Sequence, residues 1–276
     1  MDMNLVMPAQ TLVYLCITCI ILAIMPIAAV IYWKKKCKKR VNIAPLFIGA
    51  VGFIICVRVL ELLVHMFCII QVNPVSLFIN GHTWAYVLYG TAMAGIFEEV
   101  GRYIIMRYLW KKNKSRENVI MYGIGHGGIE VWAITLMQIG MFLAIAVMIS
   151  TQGMGATMQS MGVTEETQAS FMAMIPSITG FGAESMVMTV FERIAAMLLH
   201  ISMSVVVYYG ICKQEKKFVV LAVLMHAIFD VFAALYQRAV VSLVVCEIWI
   251  AIWAVVSVIW AYRLYQKLAA ESKVSN

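Results

Sequence analysis

The sequence predicts an all-α, polytopic integral membrane bundle of about seven transmembrane helices. Three observations carry this. Of the 276 residues, 63% are apolar and only 13% are charged, whereas a soluble domain is about one quarter charged. Apolar runs long enough to cross a bilayer, roughly 20 residues each, recur along the chain. Lys and Arg collect in alternate connections between those runs. A water-soluble fold of this size would lack the polar residues to cover its surface, which excludes a soluble enzyme, a disulfide-stapled secreted domain and a disordered chain.

The apolar runs fall at about 10–33, 43–70, 83–110, 118–150, 186–212, 218–238 and 240–263. The first has no Lys or Arg before it and a basic cluster after it, so it is expected to stay as an anchor rather than leave as a signal peptide. Lys34, Lys35, Lys36, Lys38, Lys39 and Arg40 follow the first run, and Lys111, Lys112, Lys114 and Arg116 follow the third. Lys213, Lys216 and Lys217 follow the fifth, and Arg263, Lys267 and Lys273 the last. Sixteen of the 21 Lys and Arg thus lie on one side. The positive-inside rule then places the N-terminus outside and the C-terminus in the cytoplasm of a cell membrane. The net charge of +7 is absorbed by topology and by anionic lipid of the bilayer, so no nucleic acid is expected as a partner.

The fourth run is long enough to tilt or break. Segment 151–185 is expected as an extracytoplasmic loop. Within it Thr164-Glu165-Glu166-Thr167 reads as the start of an interfacial helix that Pro176 ends. The seven cysteines fall in spans or at their ends. With no internal repeat and no long soluble linker, 1–276 reads as a single transmembrane domain.

A charged side chain at mid-bilayer costs about 2.5–3.5 kcal/mol on insertion scales, so several together imply a buried, paired site. The third run carries Glu98-Glu99-Val100-Gly101-Arg102, where Arg102 can reach either glutamate at i+4 or i+3. The fourth opens Gly123-Ile124-Gly125-His126-Gly127-Gly128-Ile129-Glu130, placing His126 and Glu130 at i, i+4 among glycines that weaken or unwind the helix and let another backbone approach. The fifth holds Glu192 and Arg193, read as an interface pair, and His200 deep in an apolar run. The sixth holds His226 and Asp230, a second i, i+4 His–carboxylate pair. In the second run Arg58, Glu61 and His65 form a stripe expected to face protein as a support network.

Counted from the basic boundaries, Glu99 lies 12 residues from Lys111, His200 thirteen from Lys213 and His226 nine from Lys217. His126 lies nine and Glu130 thirteen from Glu117. At about 1.5 Å per residue these fall in one band, on the order of 13–20 Å deep. Four helices therefore bring Glu, His, His and His to one level. Three imidazoles and a glutamate can bind zinc and activate its water, or the glutamate can act as base while histidine stabilises an oxyanion. A proton-coupled transporter also uses buried His and Glu, although it more often shows two-fold repeats.

Glu98-Glu99-x-x-Arg102, His126 with Glu130 on the next span, His200, and His226-x-x-x-Asp230 together resemble the YhfC family of bacterial membrane peptidases. That family is similar to PrsW proteases and, more remotely, to type II CAAX prenyl endopeptidases and to the APH-1 scaffold subunit of γ-secretase. The motifs cover roughly 83–235, the expected catalytic core. The resemblance implies an intramembrane protease in which a glutamate-activated water attacks a peptide bond of a membrane-protein or lipidated-peptide substrate. It implies that His126, His200 and His226 bind the oxyanion or a metal, zinc or another divalent ion, and that Asp230 orients His226. Glu98 or Glu99 is then the base, with Arg102 holding the other and Glu130 in support. The same kinship leaves a non-catalytic scaffold open.

Overall fold

A computed structural model of the chain describes residues 6–112 and 114–274. Residues 1–5 of the segment expected outside the membrane, and the side chains of Lys39 and Lys273 among the expected cytoplasmic cations, lie outside what is described. No strand occurs among the described residues, so the class is all-α.

The main helices are α1 (Ala9–Cys37), α2 (Ala44–Ile70), α3 (Pro74–Gly81), α4 (83–109), α5 (Arg116–Ser160), α6 (Glu165–Thr179), α7 (Ala183–Lys213), α8 (Lys217–Gln237) and α9 (Leu243–Val274). Among the described residues six are long and apolar enough to cross a membrane: α1, α2, α5, α7, α8 and α9. The expected third span is α4, helical throughout, but its Glu98, Glu99, Arg102 and Arg107 make it less apolar than those six. The shortfall in apolarity is the site itself.

The chain groups into two compact units, Met1–Met25 with Val131–Arg193, and Pro26–Glu130 with Ile194–Asn276. In the first, Leu15 and Leu22 pack with Phe142, Ile145 and Ile149 of α5 and with Phe171, Ile175 and Ile178 of α6. Thr11 Oγ1 donates to Thr179 O at 3.1 Å, tying α1 to the end of α6. α5 breaks at Gly153, whose φ of 82° is one that glycine adopts without a Cβ clash. Thr164 caps α6 in a capping box with Thr167, at the expected start. Pro176 does not end that helix; α6 runs on to Thr179, because a proline forfeits one backbone N–H bond and the neighbouring turns remain closed.

The second unit is built around the 194–213 part of α7. Buried residues run almost without interruption from Ala195 to Gly210, including Leu199, Met203 and Val206. Despite its glycines α5 stays α-helical through Glu130, so the expected unwinding does not occur there. They act instead by allowing close approach. A Cβ on Gly125 would overlap the carbonyl oxygen of Leu46 in α2, and one on Gly123 would lie 2.6 Å from Ile201 Cα in α7. Gly95 plays the same part between α4 and α8, with Val223 O only 2.7 Å from a virtual Cβ.

Wide π-type turns interrupt α2 at Ile54–Glu61 and α4 at Ile96–Val100. The first alters the angular step along α2, and the expected Arg58–Glu61–His65 stripe is split. Glu61 is buried and pairs with His65 at 3.2 Å, His65 Nδ1 contacts the Tyr89 hydroxyl at 2.8 Å, and Arg58 is exposed. The second carries Glu98 and Glu99; such turns gather at functional sites.

Replacing Gly125 by Ala should destabilise the detergent-solubilised protein by about 1–3 kcal/mol, the usual range for overpacking. Gly90, with nothing within 4 Å of a virtual Cβ, should accept Ala without loss. Thermal melts of the two variants check this: equal melting temperatures would contradict the close α2–α5 contact.

Candidate active site

Four helices of the second unit deliver ionisable side chains to one place. α4 supplies Glu98, Glu99 and Arg102, α5 supplies His126 and Glu130, α7 supplies His200, and α8 supplies His226 and Asp230. Glu130 and Asp230 are partly exposed, and the other six are buried to 6% exposure or less.

Arg102 sorts the two glutamates. Its Nη1 donates to Glu99 Oε2 at 3.0 Å, with both side chains fully enclosed. Its Nη2 donates to His200 Nδ1 at 3.2 Å. Arginine has no acceptor, so Nδ1 of His200 must offer the lone pair and Nε2 the proton. That Nε2–H faces Glu130 Oε2 in close contact. The sequence left either glutamate available to Arg102; the fold gives it Glu99.

Glu99 Oε1 also accepts from His226 Nδ1 at 2.8 Å. With Glu99 ionised, His226 donates from Nδ1, and in its neutral form it turns a lone pair outward on Nε2. That nitrogen faces Asp230 Oδ2 at 3.5 Å and Glu98 Oε1 at 3.8 Å. The other oxygen of Glu98, Oε2, accepts from His126 Nε2 at 2.9 Å and lies 3.4 Å from His200 Nδ1. Glu98 Oε1 and His226 Nε2 are thus two acceptors facing one another across a gap too wide for a hydrogen bond. A water or a cation bridging them resolves that opposition.

Ligand atoms of Glu98, His200 and His226 all lie within 4.8 Å of one another, a buried group that could hold a metal ion. One carboxylate and two imidazoles match the donors zinc takes, and the facing lone pairs give an ion something to bind. His126 falls outside this group. It neighbours His200, with ring centroids 4.9 Å apart, but spends Nε2 on Glu98.

Of the two expected i, i+4 His–carboxylate pairings, His226 with Asp230 is present, and at Glu130 a contact between helices takes over. Glu130 contacts His200 rather than His126, because Gly127 lets α7 come so close that His200 Cβ would lie 3.3 Å from a virtual Cβ there. Asp230 remains beside His226, but Glu99 is the nearer partner. Glu192 and Arg193 pair with each other, as expected.

Phe53 and Tyr122, which carry no charge to mark them in the sequence, also pack against the site. Phe53 meets the His126 ring edge-on at 5.2 Å, and Tyr122 stacks between His126 at 6.3 Å and Trp110 at 6.0 Å. Tyr122 precedes His126 by one helical turn, and that spacing was the available signal. Phe53 reaches the site across helices and left no sequence pattern.

A family model described as YhfC intramembrane metalloprotease matches residues 20–251, which include every residue of this cluster. The uncharacterized membrane protein YhfC of Bacillus subtilis (strain 168) is 30% identical over 261 residues, covering 93% of this chain and 98% of the relative. No solved structure matches. With the model spanning most of its length, the chain belongs to the YhfC intramembrane metalloprotease family.

Proposed function

We propose that the chain is an intramembrane peptidase that hydrolyses a peptide bond of a membrane-protein or lipidated-peptide substrate. The observation that carries this reading is the gap between Glu98 Oε1 and His226 Nε2. A water in that gap donates one proton toward each acceptor, which orients its oxygen lone pair outward. Glu98 takes a proton as the oxygen attacks the scissile carbonyl, and the proton passes to the departing amine when the C–N bond breaks. His126 holds Glu98 through the 2.9 Å bond. Glu99 holds His226, and Glu130 with Arg102 holds His200. Arg102 Nε, buried and without a hydrogen-bond partner among the described residues, is a donor on hand for the developing oxyanion.

Glu98, His200 and His226 would hold a divalent ion, which when bound supplies Lewis acidity and lowers the pKa of its water. His200 can offer its Nδ1 lone pair to Arg102 or to an ion, but not to both at once.

Glu98→Gln should leave the fold intact and reduce cleavage by about 10²–10⁴-fold, the usual contribution of a general base. N-terminal labelling and mass spectrometry of membrane fractions from cells making the parent or Glu98→Gln gives the readout. New N-termini that require Glu98 are expected; an identical set in both would sink the peptidase reading and favour a non-catalytic scaffold.

Zinc added to the purified apoprotein should raise its melting temperature. His226→Ala and His200→Ala should abolish the shift, and His126→Ala should keep it. Loss of the shift in His126→Ala as well would restore a three-histidine donor set instead.

A further inference from the structure

A cavity of about 450 Å³ lies in the second unit, where the charge-rich ends of α1, α5 and α9 meet α7. It falls within the roughly 300–1,000 Å³ range of ligand pockets. None of the residues discussed for catalysis lines it. Its mouth carries Lys36, Arg40 and Arg116 against one acid, Glu117. Glu117 is buried and already engaged by Arg40 at 3.5 Å and Arg116 at 3.2 Å, so the mouth keeps a positive surplus. Arg116 commits its Nε–H to Glu117 and lies 4.9 Å over the Tyr265 ring. Since an arginine carries five donors, the guanidinium is oriented but not exhausted. Trp33 ties α1 to α5 here by donating Nε1–H to Glu117 O at 2.9 Å.

Below this mouth the wall is apolar, formed by Leu198 and Val205 of α7 and by Val258 and Ala261 of α9. Leu198 and Val258 are 38% and 37% exposed, on helices long and apolar enough to span a membrane. The cavity therefore opens sideways toward hydrocarbon as well as endwise toward its basic mouth. A free anion would use only the mouth. A molecule with an anionic head and an apolar tail uses both.

We propose that this cavity is a binding site for an anionic phospholipid, with the phosphate at Lys36, Arg40 and Arg116 and an acyl chain along Leu198, Val205, Val258 and Ala261. Basic pockets between membrane helices take acidic headgroups in this way, and aromatic rings at the lip match the interfacial depth of a headgroup. Glu117 gathers the two arginines at the mouth, since both contact its Oε1. The site is independent of the peptidase reading.

The test uses the full chain reconstituted in nanodiscs of phosphatidylglycerol mixed with phosphatidylcholine, then extracted in detergent, with retained lipid counted by native mass spectrometry. Retention of phosphatidylglycerol over phosphatidylcholine is expected. The combined Lys36→Gln, Arg40→Gln and Arg116→Gln variant should weaken it by about tenfold or more, given the contribution of each basic residue to anionic-lipid binding. Ala261→Trp, which fills the apolar wall with the charges intact, should weaken it too and decides the matter if the triple variant does not fold. Equal retention of the two lipids, or unchanged retention in Ala261→Trp, overturns the proposal. Equal loss on changing Lys213, Lys216 and Lys217 to Gln also overturns it, since general surface charge would then be the cause. Displacement of the lipid by millimolar inorganic phosphate would assign the mouth to a free anion and contradict the lipid.

Discussion

The Arg102 guanidinium is the point on which the rest of the second unit depends. A fully enclosed cation in a chain that is 63% apolar must be answered by acceptors from its surroundings, since breaking a buried pair costs about 3–5 kcal/mol. One acceptor, Glu99, comes from the same helix; the other, His200 Nδ1, comes from α7. Once Glu99 is held, His226 of α8 is fixed through its Nδ1, and once His200 is held, its other nitrogen is committed to Glu130 of α5. Four helices are therefore locked by one side chain. Glu98 is the carboxylate this lock leaves over, and it faces all three imidazoles.

The lock requires short distances between helix axes, and glycine provides them. Gly125 against Leu46, Gly123 against Ile201 and Gly95 against Val223 each occupy a spot where a methyl group would meet backbone. Glycine costs about 0.5–1 kcal/mol per position in a helix. Close backbone contact, and the pairing of buried charges that it permits, offsets that cost. Packing and electrostatics are thus a single design in α5, where the residues that let α2 and α7 approach flank the histidine that the approach brings into use.

Much of this was legible in the sequence because a membrane chain uses charge sparingly. The spans, the polar clusters on four successive helices and the Arg102–Glu99 spacing could all be read from composition and period. The i, i+4 rule misled at His126 and Glu130, since it ranks neighbours along one helix and carries no information about a residue such as His200 on another helix. It also misled at Arg58, where π-type turns change the number of residues per turn. The choice between Glu98 and Glu99 was illegible for the same reason: both are within reach of Arg102 along the helix, and the positions of His126 and His226 decide between them. The polarity that made the cluster readable also kept α4 below the apolarity of the other spans.

The most direct test of this account is a pair of double-mutant cycles on folding stability in detergent, coupling Arg102→Met with Glu99→Gln and with Glu98→Gln. The account predicts strong coupling for Arg102 with Glu99, toward the upper end of the roughly 0.5–3 kcal/mol seen for residues in contact, and markedly weaker coupling with Glu98. Equal coupling, or stronger coupling to Glu98, would contradict the sorting of the two carboxylates on which the assignment of the site rests.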